Sequence, residues 1–232
     1  IFDGKFRKSQ RDVGKVAVLG LGFGMGANKF WVTMNTGPMG MDPIPTTIDE
    51  AKHIVGLYRE ANFPVVDYWD RCDEIINQML QGNVGLKFGP LEIHNNNIIL
   101  PNNMALQYPN LCMKEDIKGH SFQYSPELNQ YGELKTRKYL WGGTLTENIV
   151  QALARIIITE QAIGIEKHLD DTYGLDQARL VHMVHDELIV VGPEKYAEDI
   201  YKSMIAIMST PPSWALDLPL TSEGGWANNY IK

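Results

Sequence analysis

The residues best suited to chemistry are three adjacent polar side chains, His185, Asp186 and Glu187, which lie between two short apolar runs. The runs, residues 180–184 and 188–191, are rich in β-branched residues, which predicts the two strands of a hairpin. Such a hairpin holds both carboxylates at its tip, and hard divalent cations such as Mg²⁺ prefer carboxylate oxygens. The sequence therefore predicts a magnesium site at Asp186, with Glu187 beside it.

His182 and His185 raise zinc as an alternative metal. On a strand these two side chains point to opposite faces, and no third and fourth ligand lie at zinc-finger spacing. Acidic residues are also common in tight turns that bind no metal. A hard cation is therefore favoured over zinc, and a plain acidic turn is the other interpretation.

A second set of residues recurs at four-residue intervals near the start of the chain: Arg11, Lys15 and Leu19, with Phe23 continuing the spacing. This spacing predicts a helix over about residues 9–21 with these side chains in one stripe. Arg and Lys one turn apart can hold a triphosphate, and the positive end of the helix dipole adds to the attraction. Leu19 and Phe23 would then cover a base. A solvated basic face on a surface helix is the alternative.

The glycine-rich segment after this stripe offers a different nucleotide site. Gly22, Gly24 and Ala27 nearly match the turn of a dinucleotide-binding βαβ unit. That interpretation requires a strand over residues 16–21 and a long helix from about Ala27, but the Gly- and Pro-rich residues 35–46 interrupt such a helix. An oxidoreductase that binds a dinucleotide is therefore the second choice.

Length, composition and charge are those of an ordinary globular protein. The 232 residues are 44% hydrophobic and 21% charged. The net charge of −7 does not exclude nucleic acid, because phosphates respond to local cationic patches such as Lys5, Arg7, Lys8, Arg11 and Lys15. The 2 cysteines indicate a reducing compartment, and no segment is apolar over a membrane's thickness. We expect a cytoplasmic protein without membrane contact.

Sequence patterns divide the chain into three parts. Residues 1–83 hold helical patterns, one of them opened by a capping box at Thr47. Residues 84–143 consist of short apolar runs separated by Asn- and Pro-rich turns, which predicts hairpins and a meander. Residues 144–232 open with a second capping box and the longest helix, about residues 145–168, and the acidic hairpin follows. The apolar residues expected to be buried on this helix are Ile149, Leu153, Ile156, Ile157 and Ile163. The predicted fold class is α+β.

Gln151 and Arg155 lie one turn apart on this long, mostly apolar helix. Such a pair can hydrogen-bond the edge of a ligand, although it more often marks the boundary with solvent. Alone, the pair indicates no particular ligand.

Together these motifs resemble those of the family A (Pol I-like) DNA polymerases, most closely their bacteriophage branch. Motif B, the fingers helix that binds the incoming nucleotide, is represented by Arg11, Lys15, Leu19, Phe23 and Gly24. Residues 184–188 resemble motif C, the palm hairpin with a metal-binding Asp, and residues 142–155 resemble the palm helix between the two motifs. The closing residues 218–226 are similar to the C-terminal segment of phage versions. These matches follow the family's order along nearly the whole chain.

The resemblance implies a helical fingers layer packed on part of an antiparallel palm sheet. Residues 1–83 would be the fingers, residues 84–143 a connecting meander, and residues 144–232 the palm with its long helix and the motif C hairpin. The expected activity is DNA-directed DNA synthesis, in the cytoplasm of a host bacterium if the chain comes from a phage. Its partners would be primer-template DNA and dNTPs.

For the nucleotide, the resemblance implies that Arg11 and Lys15 contact the triphosphate and that Lys15 takes part in catalysis. Leu19 would pack on the incoming sugar and base. Phe23 stands where relatives usually have Tyr, so stacking against a base is kept while the hydroxyl is lost.

For DNA and metal, the resemblance implies that Gly24, Gln151 and His185 contact the primer-template. Asp186 would bind catalytic Mg²⁺, two ions in the complete active site, with Glu187 as a supporting carboxylate. A non-catalytic DNA-binding remnant is the alternative to an enzyme.

The sequence departs from the family at two places. Bacterial relatives carry Arg and Asn where this chain has Gly143 and Glu147, which alters the expected minor-groove contacts. The family's first palm motif, an Asp in an Asp-Tyr-Ser-like strand, is not found before Arg11. Because two-metal transfer needs both carboxylates, we expect an upstream segment or subunit to supply that Asp and the chain alone to be inactive. Ile1-Phe2-Asp3 also reads like the middle of a protein, so we expect either a split subunit or a truncated product.

Overall fold

The computed structural model describes residues 8–37, 40, 42–116, 119–126 and 136–230, and within them the chain is α+β, as predicted. The helices are α1 (Lys8–Leu21), α2 (Ala27–Thr36), α3 (Ile48–Ala61), α4 (Phe63–Leu80), α5 (Gly142–Tyr173) and α6 (Ala197–Met208). The strands are β1 (Leu86–Phe88), β2 (Leu91–His94), β3 (Asn97–Ile99), β4 (Ala105–Gln107), β5 (Cys112–Asp116), β6 (Gly119–Tyr124), β7 (Lys138–Leu140), β8 (Arg179–Val184) and β9 (Glu187–Val191). None of the described helices combines the length and the apolar character needed to cross a membrane.

The chain forms two compact units. Unit 1 contains Ile1–Phe88, Glu92–Ile99 and Ala105–Ile149, and unit 2 contains Gly89–Leu91, Leu100–Met104 and Val150–Lys232. The division into fingers, meander and palm segments, at 83 and 143, stays a prediction. Lys5 and Arg7 of the predicted basic patch lie outside the described residues.

α1 confirms the helix predicted for the basic stripe and overturns the dinucleotide-binding alternative. Residues 16–21 are helical, whereas the βαβ turn requires a strand there. A helix, α2, does begin at Ala27, but its 10 residues fall short of the long helix that the βαβ unit requires. It ends before the Gly- and Pro-rich segment because Gly37 takes the left-handed conformation, with φ 74°, that closes many helices.

The first three helices of unit 1 share one apolar core. Each contributes two buried side chains, which are Val16 and Leu21 from α1, Phe30 and Met34 from α2, and Ala51 and Val55 from α3. The predicted capping box is present at the start of α3: Glu50 N–H donates to Thr47 Oγ1 at 3.2 Å, and Thr47 N–H donates to Glu50 Oε2 at 2.7 Å. These bonds satisfy two backbone donors that a helix start leaves without partners.

The predicted hairpins and meander of the middle segment are confirmed. β1 to β4 form one antiparallel sheet and β5 to β7 another, each in chain order. In the β2–β3 hairpin, Ile93 pairs with Ile98 and both side chains are buried. Asn96 turns this hairpin with φ 58°, a conformation that Asn tolerates better than most residues.

α5 is longer than predicted and begins differently. It starts at Gly142 and reaches Tyr173, so the capping box predicted at residues 144–147 does not mark its start. The Thr146 hydroxyl instead donates to the Gly142 carbonyl inside the helix at 2.8 Å. The acceptor at the helix start comes from α4: Gly142 N–H donates to Asp73 Oδ1 at 2.6 Å. A partner 69 residues away in the chain cannot be found by a local capping rule.

Unit 2 has its own core, in which one face of α5 packs with the β8–β9 hairpin and α6. Its buried side chains are Ile158, Ala162, Ile165, Leu169, Ala178, Leu188 and Ile200. The predicted burial of Ile163 is wrong, since this side chain is 64% exposed. The buried positions of α5 follow the spacing of one helical face, and Ile163 lies off that face.

Candidate active site

The acidic hairpin has the predicted form. β8 and β9 pair antiparallel, with Val184 opposite Glu187, so His185 and Asp186 form a two-residue loop at the tip. Both loop side chains are exposed. His185 has φ 52°, a left-handed conformation that two-residue hairpin loops require but that costs energy in residues other than glycine. The hairpin thus presents the Asp186 carboxylate to solvent on a short, constrained turn.

Glu187 is held differently from Asp186, because it begins strand β9 and is half-buried. The hydroxyl of Tyr230 donates a hydrogen bond to Glu187 Oε2 at 3.2 Å. This hydrogen bond, with the negative charge of the carboxylate, raises the pKa of Tyr230. Tyr230 therefore engages one oxygen of Glu187, while Asp186 stands at the exposed tip.

The two adjacent carboxylates at the tip supply oxygen ligands of the kind that Mg²⁺ prefers. Mg²⁺ is usually bound by one or two carboxylates, with waters and substrate phosphates completing its octahedron. Across the described ranges no three His, Cys, Asp or Glu side chains gather in a metal-binding cluster. His182 faces Ile189 in the sheet and His185 lies in the loop, so the two predicted zinc candidates have no further clustered ligand among those residues.

The predicted nucleotide stripe lies on the solvent face of α1. Arg11 and Lys15 are exposed, and Leu19 is 45% exposed although it is apolar. Val18, which lies three residues after Lys15 on the same helix, is 63% exposed. Val18 points about 100° away from Leu19 around the helix, so the stripe itself consists of two cations followed by the exposed Leu19. Such a stripe matches a ligand with a charged end and an apolar end.

The stripe ends in a tight turn that carries Phe23 and Gly24. Gly24 N–H donates to the Leu21 carbonyl at 2.9 Å, and Met25 N–H donates to the Gly20 carbonyl at 3.2 Å. Gly24 has φ 77°, which favours glycine, and Phe23 is half-buried. The turn thus fixes the backbone beside Phe23 at the end of the helix.

Two tryptophans that sequence reasoning missed hold this turn. Trp69 Nε1 donates to the Gly22 carbonyl at 3.3 Å, and the rings of Trp69 and Trp141 meet edge to face at 6.2 Å. A Cβ atom on Gly24 would overlap the ring of Trp141. The nearest sequence signal was the run Trp141-Gly142-Gly143, since two glycines beside an aromatic residue can mark close packing of backbone against a ring.

The carboxylate of Asp73 supports the start of the helix beside this cluster. Burial raises the pKa of Asp73 above its ordinary value, and the hydrogen bond from Gly142 N–H opposes that rise. The effect of burial is the larger of the two. Asp73 is therefore a partly desolvated acceptor at a helix N-terminus, a place where negative charge is favourable.

Gln151 and Arg155 are exposed on α5, as a solvent-boundary pair would be. In unit 2, Arg155 Nη1 lies 3.7 Å from Met183 Sδ on strand β8. The contact places the guanidinium beside the hairpin strand, one residue before the strand's last residue, Val184. A direct role of Gln151 in binding DNA stays a prediction.

The predicted site residues fall in both units. Arg11, Lys15, Leu19, Phe23 and Gly24 belong to unit 1, whereas Gln151, His185, Asp186 and Glu187 belong to unit 2. Within each unit the residues lie on the elements that the sequence predicted: one helix with its terminal turn, and one helix with one hairpin. That the two sets face each other across one cleft stays a prediction.

Comparison with known proteins gives two informative similarities, while no protein-family model matches the chain. A DNA polymerase of Bacillus phage SP02 is 31% identical over 96% of this chain and 33% of the phage protein. The chain therefore spans about a third of that relative. The fold also resembles the POL domain of Pol1 from M. smegmatis, solved in complex with DNA primer-template and dNTP, with a TM-score of 0.53.

The structural likeness covers 92% of this chain and 29% of the mycobacterial one at 17% identity, so it supports the fold alone. The phage relative supports the sequence-based recognition independently, because its identity extends over nearly all of this chain. The phage relative thus bears out the similarity to a bacteriophage DNA polymerase that the motifs indicated, and the mycobacterial structure agrees with it in fold.

Proposed function

We propose that this chain is the part of a DNA-directed DNA polymerase that binds the incoming nucleotide and supplies one of two metal-binding carboxylates. The observation that carries the proposal is the Asp186 hairpin tip, in a chain similar over 96% of its length to a phage DNA polymerase. The complete reaction joins the primer 3′ oxygen to the α-phosphorus of a dNTP and releases pyrophosphate.

The exposed stripe on α1 would bind the dNTP. Arg11 offers a planar fork of donors and Lys15 a compact charge, so together they would neutralise the triphosphate as negative charge develops on the leaving pyrophosphate. Leu19, one helical turn beyond Lys15, and Phe23, in the turn after α1, would cover the sugar and base. This order along the helix and its terminal turn supports a nucleoside triphosphate better than a simple anion.

The hairpin would hold the metal and contact the DNA. Asp186, with Glu187 beside it, would hold Mg²⁺, which supplies charge neutralisation for nucleotidyl transfer. His185 and Gln151 would lie against the primer-template, and Gly24 would allow DNA to approach the turn after α1. The second carboxylate would come from an upstream segment or subunit, since no matching motif precedes Arg11. For such a phage polymerase we infer action in the host cytoplasm.

The proposal is tested by primer extension with Asp186→Ala. The chain is combined with a polypeptide that carries the upstream palm motif, and extension is measured with Mg²⁺ present. We expect the wild type to extend primers and Asp186→Ala to reduce the rate by a factor on the order of 10³ or more, because the metal-binding oxygens are lost. Both proteins should melt at similar temperatures, since Asp186 is exposed.

Asp217→Ala is the matched control, because Asp217 is another exposed carboxylate of unit 2 outside the hairpin. It should extend primers at the wild-type rate. Unaltered extension by Asp186→Ala would overturn the metal assignment. Primer-template binding without extension by the wild-type mixture would favour a non-catalytic DNA-binding remnant.

A further inference from the structure

The ring of Trp141 is wedged between two glycines that are far apart in the chain. A Cβ atom on Gly24 or on Gly143 would overlap the same ring atom, Cη2 of Trp141. The outer edge of the indole therefore lies directly against the backbone at both positions. One glycine belongs to the turn after α1 and the other to the first turn of α5, so a single side chain connects these two turns of unit 1.

Two residues of α4 further restrain the ring of Trp141 and the backbone next to it. The buried Trp69 meets Trp141 edge to face and donates its indole N–H to the Gly22 carbonyl. The start of α5 is in turn held by the hydrogen bond from Gly142 N–H to Asp73. Because α4 supplies both Trp69 and Asp73, the ring of Trp141 has little freedom to move away from Gly24.

Trp141 is nevertheless 39% exposed. Elsewhere in unit 1, Trp31 has nearly the same exposure, 40%, and donates to the Thr46 carbonyl at 2.9 Å. None of the three atoms nearest to a Cβ on Gly24 or on Gly143 belongs to Trp31, since all of them are Trp141 ring atoms. The two residues thus form a natural pair for comparison.

We propose that Trp141 is a positioning residue that sets the turn carrying Phe23 in the place where Phe23 meets the base of the incoming nucleotide. The inference rests on the proposed function for the role of Phe23, while the hold of Trp141 on the turn rests on its packing alone. Because Trp141 acts through the turn, its removal alters nucleotide selection more than DNA affinity.

The first measurement is amide hydrogen exchange on the full 232-residue chain, which requires no activity. In Trp141→Ala the amides of Gly24 and Met25 are expected to exchange about tenfold faster or more, because the turn opens locally. Trp31→Ala is expected to leave these amides at the wild-type rate. Unchanged exchange at Gly24 in Trp141→Ala, with the variant folded, would overturn the proposal.

The second measurement is steady-state kinetics in the reconstituted polymerase. Trp141→Ala is expected to raise the KM for dNTP about tenfold or more and to weaken discrimination against mismatched dNTPs, with a smaller change in the Kd for primer-template. Trp141→Phe, which keeps a smaller aromatic ring, should give a KM for dNTP and a discrimination between those of the wild type and those of Trp141→Ala. Trp31→Ala should match the wild type in all three quantities.

The outcomes separate this inference from the proposed function. If the wild-type mixture extends primers and Trp141→Ala keeps the wild-type KM and discrimination, the positioning role is wrong. A purely structural role would lower the melting temperature without this selective change in dNTP kinetics. If the wild-type mixture extends no primer, the proposed function fails, and the exchange data still decide whether Trp141 holds the turn.

Discussion

The two neighbouring carboxylates of the hairpin occupy different environments although they are adjacent in sequence. Asp186 sits in the loop with its side chain in solvent, whereas Glu187 lies in strand β9 and accepts a hydrogen bond from Tyr230. A metal ligand needs an available oxygen, so Asp186 is the stronger candidate and Glu187 the supporting one. The sequence identified both residues, and the family resemblance gave Asp186 the metal and Glu187 a supporting role. It could not show the hydrogen bond that separates their environments, because Tyr230 is 43 residues away.

Leu19 allows a test of the nucleotide stripe at a single position. If Leu19 packs on the sugar of the incoming nucleotide, Leu19→Tyr brings a hydroxyl to the region where a dideoxynucleotide lacks one. We expect discrimination against dideoxynucleotides to fall by about tenfold or more, measured as the ratio of kcat/KM values for dNTP and ddNTP.

Val18→Tyr is the control, because Val18 is the neighbouring exposed apolar residue and points about 100° away around the helix. It should leave discrimination unchanged. If Leu19→Tyr and the wild type discriminate equally against dideoxynucleotides, the assignment of Leu19 to the sugar site is wrong.

At the scale of elements, the sequence predicted the helices and strands well and their ends less well. Periodicity and the Thr47 capping box identified α3, because both signals are local. The start of α5 was misplaced by about three residues, because its acceptor, Asp73, lies in another helix. The Trp141 contacts were missed for the same reason: the packing partners Gly24 and Gly143 are separated by more than a hundred residues.

Asp73 gives a prediction about pH at the start of α5. Its pKa in the folded state is raised above the ordinary 3.8, so the folded chain binds this proton more tightly than the unfolded chain does. This contribution to stability is complete below pH 3.8 and is lost as pH rises through the folded-state pKa. Asn at position 73 does not titrate, so Asp73→Asn does not lose this contribution as pH rises. The free energy of unfolding of Asp73→Asn relative to that of the wild type should therefore increase from roughly pH 3.5 to neutral pH.

Urea denaturation of both proteins at the two pH values measures this difference. Asp67→Asn, at an exposed position of the same helix, should show no such pH-dependent gain. If the free energy of unfolding of the wild type rises relative to that of Asp73→Asn as pH rises, the prediction is contradicted. Such a result would mean that the hydrogen bond from Gly142 has a larger effect on the Asp73 pKa than burial does.

The packing of Trp141 predicts a thermodynamic coupling between α5 and the turn residue opposite it. Gly143→Ala should destabilise the chain by about 1–3 kcal/mol, because the new methyl group overlaps the indole. In the Trp141→Ala background the same change should cost much less, since the overlap is gone. The coupling, measured by chemical denaturation, should be at least about 1 kcal/mol.

Gly56→Ala in α3 is the control for this cycle, because no atom lies within 4 Å of the added Cβ. It should stabilise the chain slightly, by up to about 1 kcal/mol, as Gly-to-Ala changes in open helix positions do. Additive effects of Gly143→Ala and Trp141→Ala would show that the two residues are not in contact in solution.

At the scale of the whole molecule, the two units divide the candidate residues between them. The predicted nucleotide stripe lies in unit 1 and the hairpin tip with Asp186 in unit 2, each supported by its own core. The sequence could predict the residues in each set, because each set lies on one local element. It could not predict how the core of α5 distributes its apolar residues, as Ile163 shows.

For the whole molecule, we predict that primer extension by this chain depends on a polypeptide segment that carries the upstream palm motif. The purified chain should extend no primer alone, because its sequence offers one motif-type metal-binding aspartate and two-metal transfer needs a second. Adding a polypeptide with the upstream palm motif should restore extension, while the same polypeptide with its Asp changed to Ala should not. Robust extension by the chain alone would contradict the prediction.

The left-handed backbone at His185 also limits how this hairpin can evolve. Branched side chains such as Val, Ile and Thr are strongly disfavoured at φ 52°, whereas Gly, Asn and Asp are tolerated. Few residues can therefore replace His185 during evolution, and each of those that can removes the aromatic ring next to Asp186. The backbone conformation of the loop thus restricts substitution at position 185 independently of any chemical role of the side chain.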